Sequence, residues 1–439
     1  MKKTILFVLV CCLLLLCGCA SKPFTGLRSG SQTEPGATPA PDETRITLKG
    51  DGAEIRGGGA SADGNVVTIS AVGAYRVSGR LDEGQLVVDT GEDAVNVTLT
   101  LDGAEIRNAG GPALWIKQAK NVHLRLEGES LLVSGTEADL ARFDDTRSGA
   151  ALYAEDDLIV EGGGSLTVKG YLNNGLTCKD DFRMDGGTVD VEAANNGVRA
   201  SESIRITGGT LSVRSGNDGL KTSSADKEGK GFIELSGGSV SVECGGDGVS
   251  AVTTLTLSGG DVNVSIREDQ IGAQSRKGLK AGQLVDLSGG NLYVRVDDDG
   301  IHSDGDVVLS GGYTQIVAAT GIQAGVKDSG VGSVKMTGGS AFLCAVKQAV
   351  KAEGGFAVNG ELVALCGSDK QARPDAGGQA CILAPAEGDA GNEVLLGPGV
   401  KSYTAALHFR TILYSSPDLE AGESYMLACG SRNYTLTAR

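Results

Sequence analysis

The sequence predicts an all-β chain wound into a right-handed parallel β-helix that ends in a C-terminal β-cap or small β-domain. Three observations carry this. First, 68 of 439 residues are Gly while only 9 are Pro, about twice the usual ~7% glycine without the proline of collagen. Second, paired glycines recur at Gly186-Gly187, Gly208-Gly209, Gly237-Gly238, Gly259-Gly260, Gly289-Gly290, Gly311-Gly312 and Gly338-Gly339, spaced 22, 29, 22, 30, 22 and 27 residues apart. Third, apolar residues alternate at period two on both sides of most pairs, as in Ile204/Ile206 before and Leu211/Val213 after. Period two means strands with one face inward. A fixed period of this length marks a solenoid, in which no coil buries its face alone. With 4% aromatics and one Trp, the core must be aliphatic.

Taken in order, the chain opens on Lys2 and Lys3 followed by an apolar run to Leu16, a signal-peptide pattern too short for an ordinary membrane span. Leu16-Cys17-Gly18-Cys19 resembles the lipobox of bacterial lipoproteins, which assigns residues 1–18 to the signal and Cys19 to lipidation. Residues 19–44, rich in Ser, Thr, Gly and Pro, read as a flexible tether. Residues 45–355 form the β-helix with its N-terminal cap, the first coils supplied by Val66 to Ile69, Ala74 to Val77, Gln85 to Val88, Val95 to Leu101, Leu114 to Ile116 and Val122 to Leu126. From about residue 158 each 22-residue coil has three strands and three bends, one bend at the glycine pair and another at Asn196-Gly197, Asp218-Gly219 or Asp299-Gly300. Cys178, Ala200, Thr222, Ala251, Ala281 and Ser303 fall at one inward position and are expected to stack. Residues 356–439, with four prolines, form the cap that covers the last strand edge.

Six cysteines lie beyond the export signal, at Cys178, Cys244, Cys344, Cys366, Cys381 and Cys429. They lack metal spacing and read as small buried residues, with a Cys366 to Cys381 bridge as the exception. The formal charge of −16 repels phosphates and excludes nucleic acid as a partner. An acidic surface suits cations instead.

Stacked coils put equivalent residues about 4.8 Å apart. The residue before the corner glycine then forms a column: Asn174, Asn196, Asp218, Asp247, Lys277, Asp299 and Thr320. Neighbouring carboxylates repel, and Ca²⁺ with oxygen ligands at about 2.3–2.6 Å would bridge them. Asp218, Asp247, Asp298, Asp299 and, on an inserted loop, Asp269 are the candidate ligands; ordinary Asn-Gly and Asp-Gly turn chemistry is the alternative. Two residues past the glycine runs a more basic column of Thr177, Arg199, Lys221, Ser250, Lys280, His302 and Gln323. It either balances the acidic column or holds an anionic ligand, with Lys280 or Lys221 as a candidate proton-abstracting base. Trp115, Tyr153, Tyr171, Tyr293 and Tyr313 are the few aromatic candidates for a sugar platform, too few to favour stacking over charge.

The segments Lys277-Gly278-Leu279-Lys280-Ala281, Asp298-Asp299-Gly300-Ile301-His302-Ser303-Asp304 and Leu287-Ser288-Gly289-Gly290, together with Ala71 to Gly79, Leu99 to Ile106 and Tyr414 to Tyr425, are similar to motifs of the carbohydrate-binding-domain-containing lipoproteins of anaerobic bacteria. The resemblance runs over about residues 45–435. It implies a single-stranded parallel β-helix similar to that of pectate lyases, lipid-anchored at the cell surface, monomeric, binding Ca²⁺ and plant cell-wall polysaccharide such as pectin or cellulose. Arg199, Lys221, Lys280, His302 and Tyr171 are the expected carbohydrate contacts. A Ca²⁺-dependent polysaccharide lyase and a purely structural stalk are the alternatives.

Overall fold

The computed structural model describes residues 43–91, 96–140, 149–225, 227–267, 276–326, 331–399 and 401–439. Cys19, the signal and the tether up to residue 42 lie outside the described residues, as does Asp269. Among the described residues the chain is nearly all strand, wound into a parallel β-helix of about eleven turns. Three parallel ladders run along it, and the 22-residue repeat appears directly as register. Val198–Ala200 places Arg199 beside Thr177 on one side and Lys221 on the other. In the second ladder Ile204 lies over Ile233 and then Leu255. In the third, Leu211 lies over Val240 and then Val262. These stacked aliphatics are 0–2% exposed, and every fully buried Val, Leu or Ile contributes roughly 1.5–3 kcal/mol. The small inward column is Cys178, Ala200, Thr222, Ala251, Ala281 and Ser303, all 5% exposed or less.

The two glycine corners are required for different reasons. In the pair, the second glycine has a left-handed backbone, with φ of +82° at Gly209 and +80° at Gly260, a region other residues enter only with strain. At Gly197 the obstacle is space: a Cβ there would lie 2.1 Å from Val213 Cγ1 and 2.8 Å from the Gly219 carbonyl oxygen. The corner thus packs backbone directly on the next coil's valine, which a turn preference alone does not demand.

Toward the N-terminus, Thr44–Gly50 pairs antiparallel with Ala53–Arg56 and Ala60–Asp63 with Val66–Ile69, and Thr44–Gly50 then joins Gly73–Leu81 in parallel. At the other end, parallel pairing continues beyond residue 355: Gly355–Val358 lies on Ser333–Met336 and Glu361–Cys366 on Ser340–Ala352. The signature ended early because Asn359-Gly360 replaces the glycine pair at that bend. Glu361–Cys366 is then covered antiparallel by Phe409–Ser415, which Cys381–Gly388 flanks on its other side. Val317, Phe342, Cys344, Val363 and Leu365 point out of the third ladder and build a second core with Ile382, Phe409, Ile412 and Tyr414. A separate four-stranded antiparallel sheet completes the cap.

The expected Cys366 to Cys381 bridge is absent, and both thiols are free. Cys366 pairs with Thr411 and Cys381 with Ser415 on opposite sides of one strand. Two interstrand spacings, about 9.6 Å, exceed the reach of a disulfide. Burial pushes the Cys178 and Cys244 thiols up, Cys244 to about 12. Among the six cysteines of the described residues, a thiol reagent is therefore expected to label only half-buried Cys381 promptly in the folded chain, and all six after denaturation without reductant; two of these thiols released only by reductant would contradict this fold.

Candidate functional site

The first ladder carries the acidic corner column and the outward basic column side by side. Short strands such as Leu220–Thr222 hold them because the residues on either side of Lys221 are buried, with Leu220 at 0% and Thr222 at 2% exposure. This forces the residue between them outward.

The corner column is buried, each member from Asn174 to Thr320 except Lys277 being under 9% exposed. Its side chains connect coils. Asn174 Oδ1 accepts from the Asn196 backbone N–H at 3.1 Å, Asp218 Oδ1 from that of Asp247 at 2.8 Å, and Asp247 Oδ1 from that of Lys277 at 2.9 Å. The second carboxylate oxygen meets a basic side chain three residues further on or one coil away. Lys221 Nζ lies 2.6 Å from Asp218 Oδ2, Lys280 Nζ 3.1 Å from Asp247 Oδ2, and His302 Nδ1 2.8 Å from Asp299 Oδ2. Lys277 Nζ lies 2.9 Å from Asp298 Oδ2. Fully buried Arg276 pairs with Asp297. No group of three His, Cys, Asp or Glu side chains among the described residues is arranged to hold a metal ion. Both carboxylate oxygens of Asp218 and Asp247, and one oxygen each of Asp298 and Asp299, already accept from a donor, so a Ca²⁺ at these positions would compete with an amine or imidazole for them. Asp269, the remaining candidate, lies outside the described residues.

The same pairing bears on the lysines. Burial alone would lower the Lys280 amine, but the charge and hydrogen bond of Asp247 more than offset it and hold the amine above its ordinary value. A general base works near neutral pH, so Lys280 stays a protonated cation. Among the described residues, Arg199 is the basic member of this column with no carboxylate partner. Tyr171, expected to contact sugar, is only 5% exposed and sits against Lys169, its hydroxyl 3.4 Å from Glu192; it presents no open ring face.

The register extends the outward column beyond what the repeat signature covers. Tyr153 lies beside Thr177, and Trp115 beside Tyr153. At the far end Gln323 lies beside His302 and Lys351 beside Gln323. The face therefore runs from two aromatic rings to a stretch that carries Arg199, Lys221, Lys280 and Lys351 among neutral residues. The sequence concealed the aromatic pair because the chain makes a long excursion between Trp115 and Tyr153, which breaks the 22-residue period. The matching triplets Leu114-Trp115-Ile116 and Leu152-Tyr153-Ala154, apolar on both sides of the ring, were the available signal.

Comparison with known proteins agrees with this architecture. A family model described as carbohydrate-binding domain-containing protein matches residues 63–321. A carbohydrate-binding domain-containing protein of Acetivibrio thermocellus is 30% identical over 197 residues, which cover 44% of this chain and 65% of that relative. The chain thus spans slightly less than two thirds of the relative's length. A solved polysaccharide lyase-like protein from C. thermocellum, in a gadolinium derivative, is 27% identical with a TM-score of 0.50, covering 56% of this chain and 96% of that one.

Proposed function

The chain belongs to the family of carbohydrate-binding domain-containing proteins, and on that premise we propose that it holds an acidic polysaccharide, of the polygalacturonate or pectin type, along the outward face of the first ladder. Arg199 carries the reading. Its guanidinium stands among the basic residues of successive coils with no acidic partner among the described residues, and its planar fork suits a carboxylate in two parallel hydrogen bonds. Lys221 and Lys280 each use part of their three donors on Asp218 and Asp247, leaving others for a uronate. Coils rise about 4.8 Å apart, so successive sugars meet equivalent positions. The proposal is binding without cleavage, because the candidate lysine bases are ion-paired ammonium groups. It places the protein at the cell surface, tethered through lipid on Cys19.

Arg199→Ala is expected to weaken retention by polygalacturonate in affinity electrophoresis roughly tenfold, the ratio that about 1.4 kcal/mol represents, with Arg199→Lys recovering only part. Unchanged retention by Arg199→Ala would sink the reading. Incubation with polygalacturonate should give no rise in absorbance from unsaturated uronide.

A second reading has Ca²⁺ bridging the acidic column to the uronates. It draws support from the gadolinium derivative of the lyase-like neighbour, since hard cations take oxygen ligands. Under it a chelator abolishes retention; under the direct reading retention survives chelator and falls with added salt.

A further inference from the structure

At its N-terminal end the binding face changes chemistry. Trp115 and Tyr153 occupy adjacent rungs of the outward column and border a cavity of about 560 Å³ with Pro112, Gly110 and Glu155. Lys117 Nζ sits 6.0 Å from the Trp115 ring centroid and Lys179 Nζ 5.9 Å from that of Tyr153. Lys117 is itself neutralised by Asp89 at 2.6 Å. Glu155 makes no ion pair among the described residues and supplies the charged side chain of this lining.

Starting from the reading of the face as a uronate groove, we propose that Trp115, Tyr153 and Glu155 form a subsite for a neutral pyranose, so that the groove takes a polysaccharide in which a neutral sugar adjoins a uronate run. The apolar C–H face of a pyranose covers the two rings, and its hydroxyls donate to the Glu155 carboxylate. A uronate in the same place would bring its carboxylate against Glu155 and be repelled. Arg199 lies two rungs beyond Tyr153, with Thr177 between, close enough for one chain to contact both chemistries. Because the two ends differ, a mixed chain is bound in one direction.

Trp115 is the chain's single Trp, so its emission reports on this subsite directly. The intact protein is titrated with neutral tetrasaccharides of galactose, xylose and glucose, and with tetragalacturonate. At least one neutral tetrasaccharide should change the emission saturably, and Tyr153→Ala should weaken that response roughly tenfold, equivalent to about 1.4 kcal/mol. Glu155→Gln, a change that keeps the side chain's shape, should weaken the neutral response and let tetragalacturonate alter the emission. A protein that retains polygalacturonate but responds to none of the three neutral sugars overturns the subsite alone. One that responds to a neutral sugar but fails to retain polygalacturonate supports the subsite and sinks the uronate reading. A Glu155→Gln protein that behaves as wild type also overturns the proposal.

Discussion

Gly260→Ala is expected to destabilise the chain by about 2–5 kcal/mol and to lower its Tm by many degrees. Two effects add. The backbone at this position has φ of +80°, where a residue with a Cβ costs roughly 1–2 kcal/mol. The new methyl would also lie 2.6 Å from the Gly238 carbonyl oxygen and 2.8 Å from the Gly237 carbonyl carbon. Both are backbone atoms of the preceding coil, so relief requires moving a whole rung, and such overpacking costs typically about 1–3 kcal/mol. Gly163→Ala is the control. Nothing lies within 4 Å of its added Cβ and its φ is outside the left-handed region, so a change within about 0.5 kcal/mol is expected. Equal thermal midpoints for the two variants would contradict the role assigned to the glycine pair.

Asp247→Ala should cost about 2–4 kcal/mol, and Asp247→Asn much less. Asp247 is 7% exposed, and its two oxygens accept from the Lys277 backbone N–H and the Lys280 ammonium. Truncation leaves the buried N–H without an acceptor, a desolvation cost of roughly 1–3 kcal/mol, and takes from the partly exposed amine a counter-charge worth up to about 1 kcal/mol. An amide oxygen still accepts from Lys277, as Asn174 does from Asn196 in the same chain. The pair also leaves a pH signature. The Lys280 amine is held above its ordinary value, so the stability it contributes is fully present below the unfolded lysine pKa and is lost as pH rises through the folded one. Urea midpoints of wild type should therefore fall above about pH 10.4, and those of Asp247→Asn should fall less. Retention separates the two accounts of binding: with Lys280 freed, Asp247→Asn should hold polygalacturonate at least as well as wild type, whereas a Ca²⁺ bridge would lose a ligand. A flat profile shared by both proteins would contradict the ion pair's contribution.

The helical stack was legible because its two determinants are local. Alternation fixes which side chains face inward, and the glycine pair fixes where the backbone bends, so Val66–Ile69 and Val198–Ala200 fall where the pattern puts them. The outward columns were legible for the same reason. What they do was less so, because the partner of Asp247 is the backbone N–H of Lys277, 30 residues on, and backbone donors leave no trace in residue identity. A row of acids therefore suggested a cation, while the hydrogen bonds by which the same acids join coils could not be read from it. Tyr171 looked available because exposure depends on what packs over a ring. Trp115 and Tyr153 were each noticed, but an insertion between them hid that they are neighbours.

The register has a further meaning for how such a chain changes size. Thr188 lies over Thr210 and Val189 over Leu211, so excising residues 188–209 would join Gly187 to Thr210 and recreate the existing Gly209-Thr210 junction. Every ladder would close on an equivalent neighbour, and the face would shorten by one rung of about 4.8 Å. The molecule is in this sense a ruler with a fixed graduation: its reach along a polymer can lengthen or shorten only in whole steps, each bringing its own outward residue, while the cap at either end stays the same.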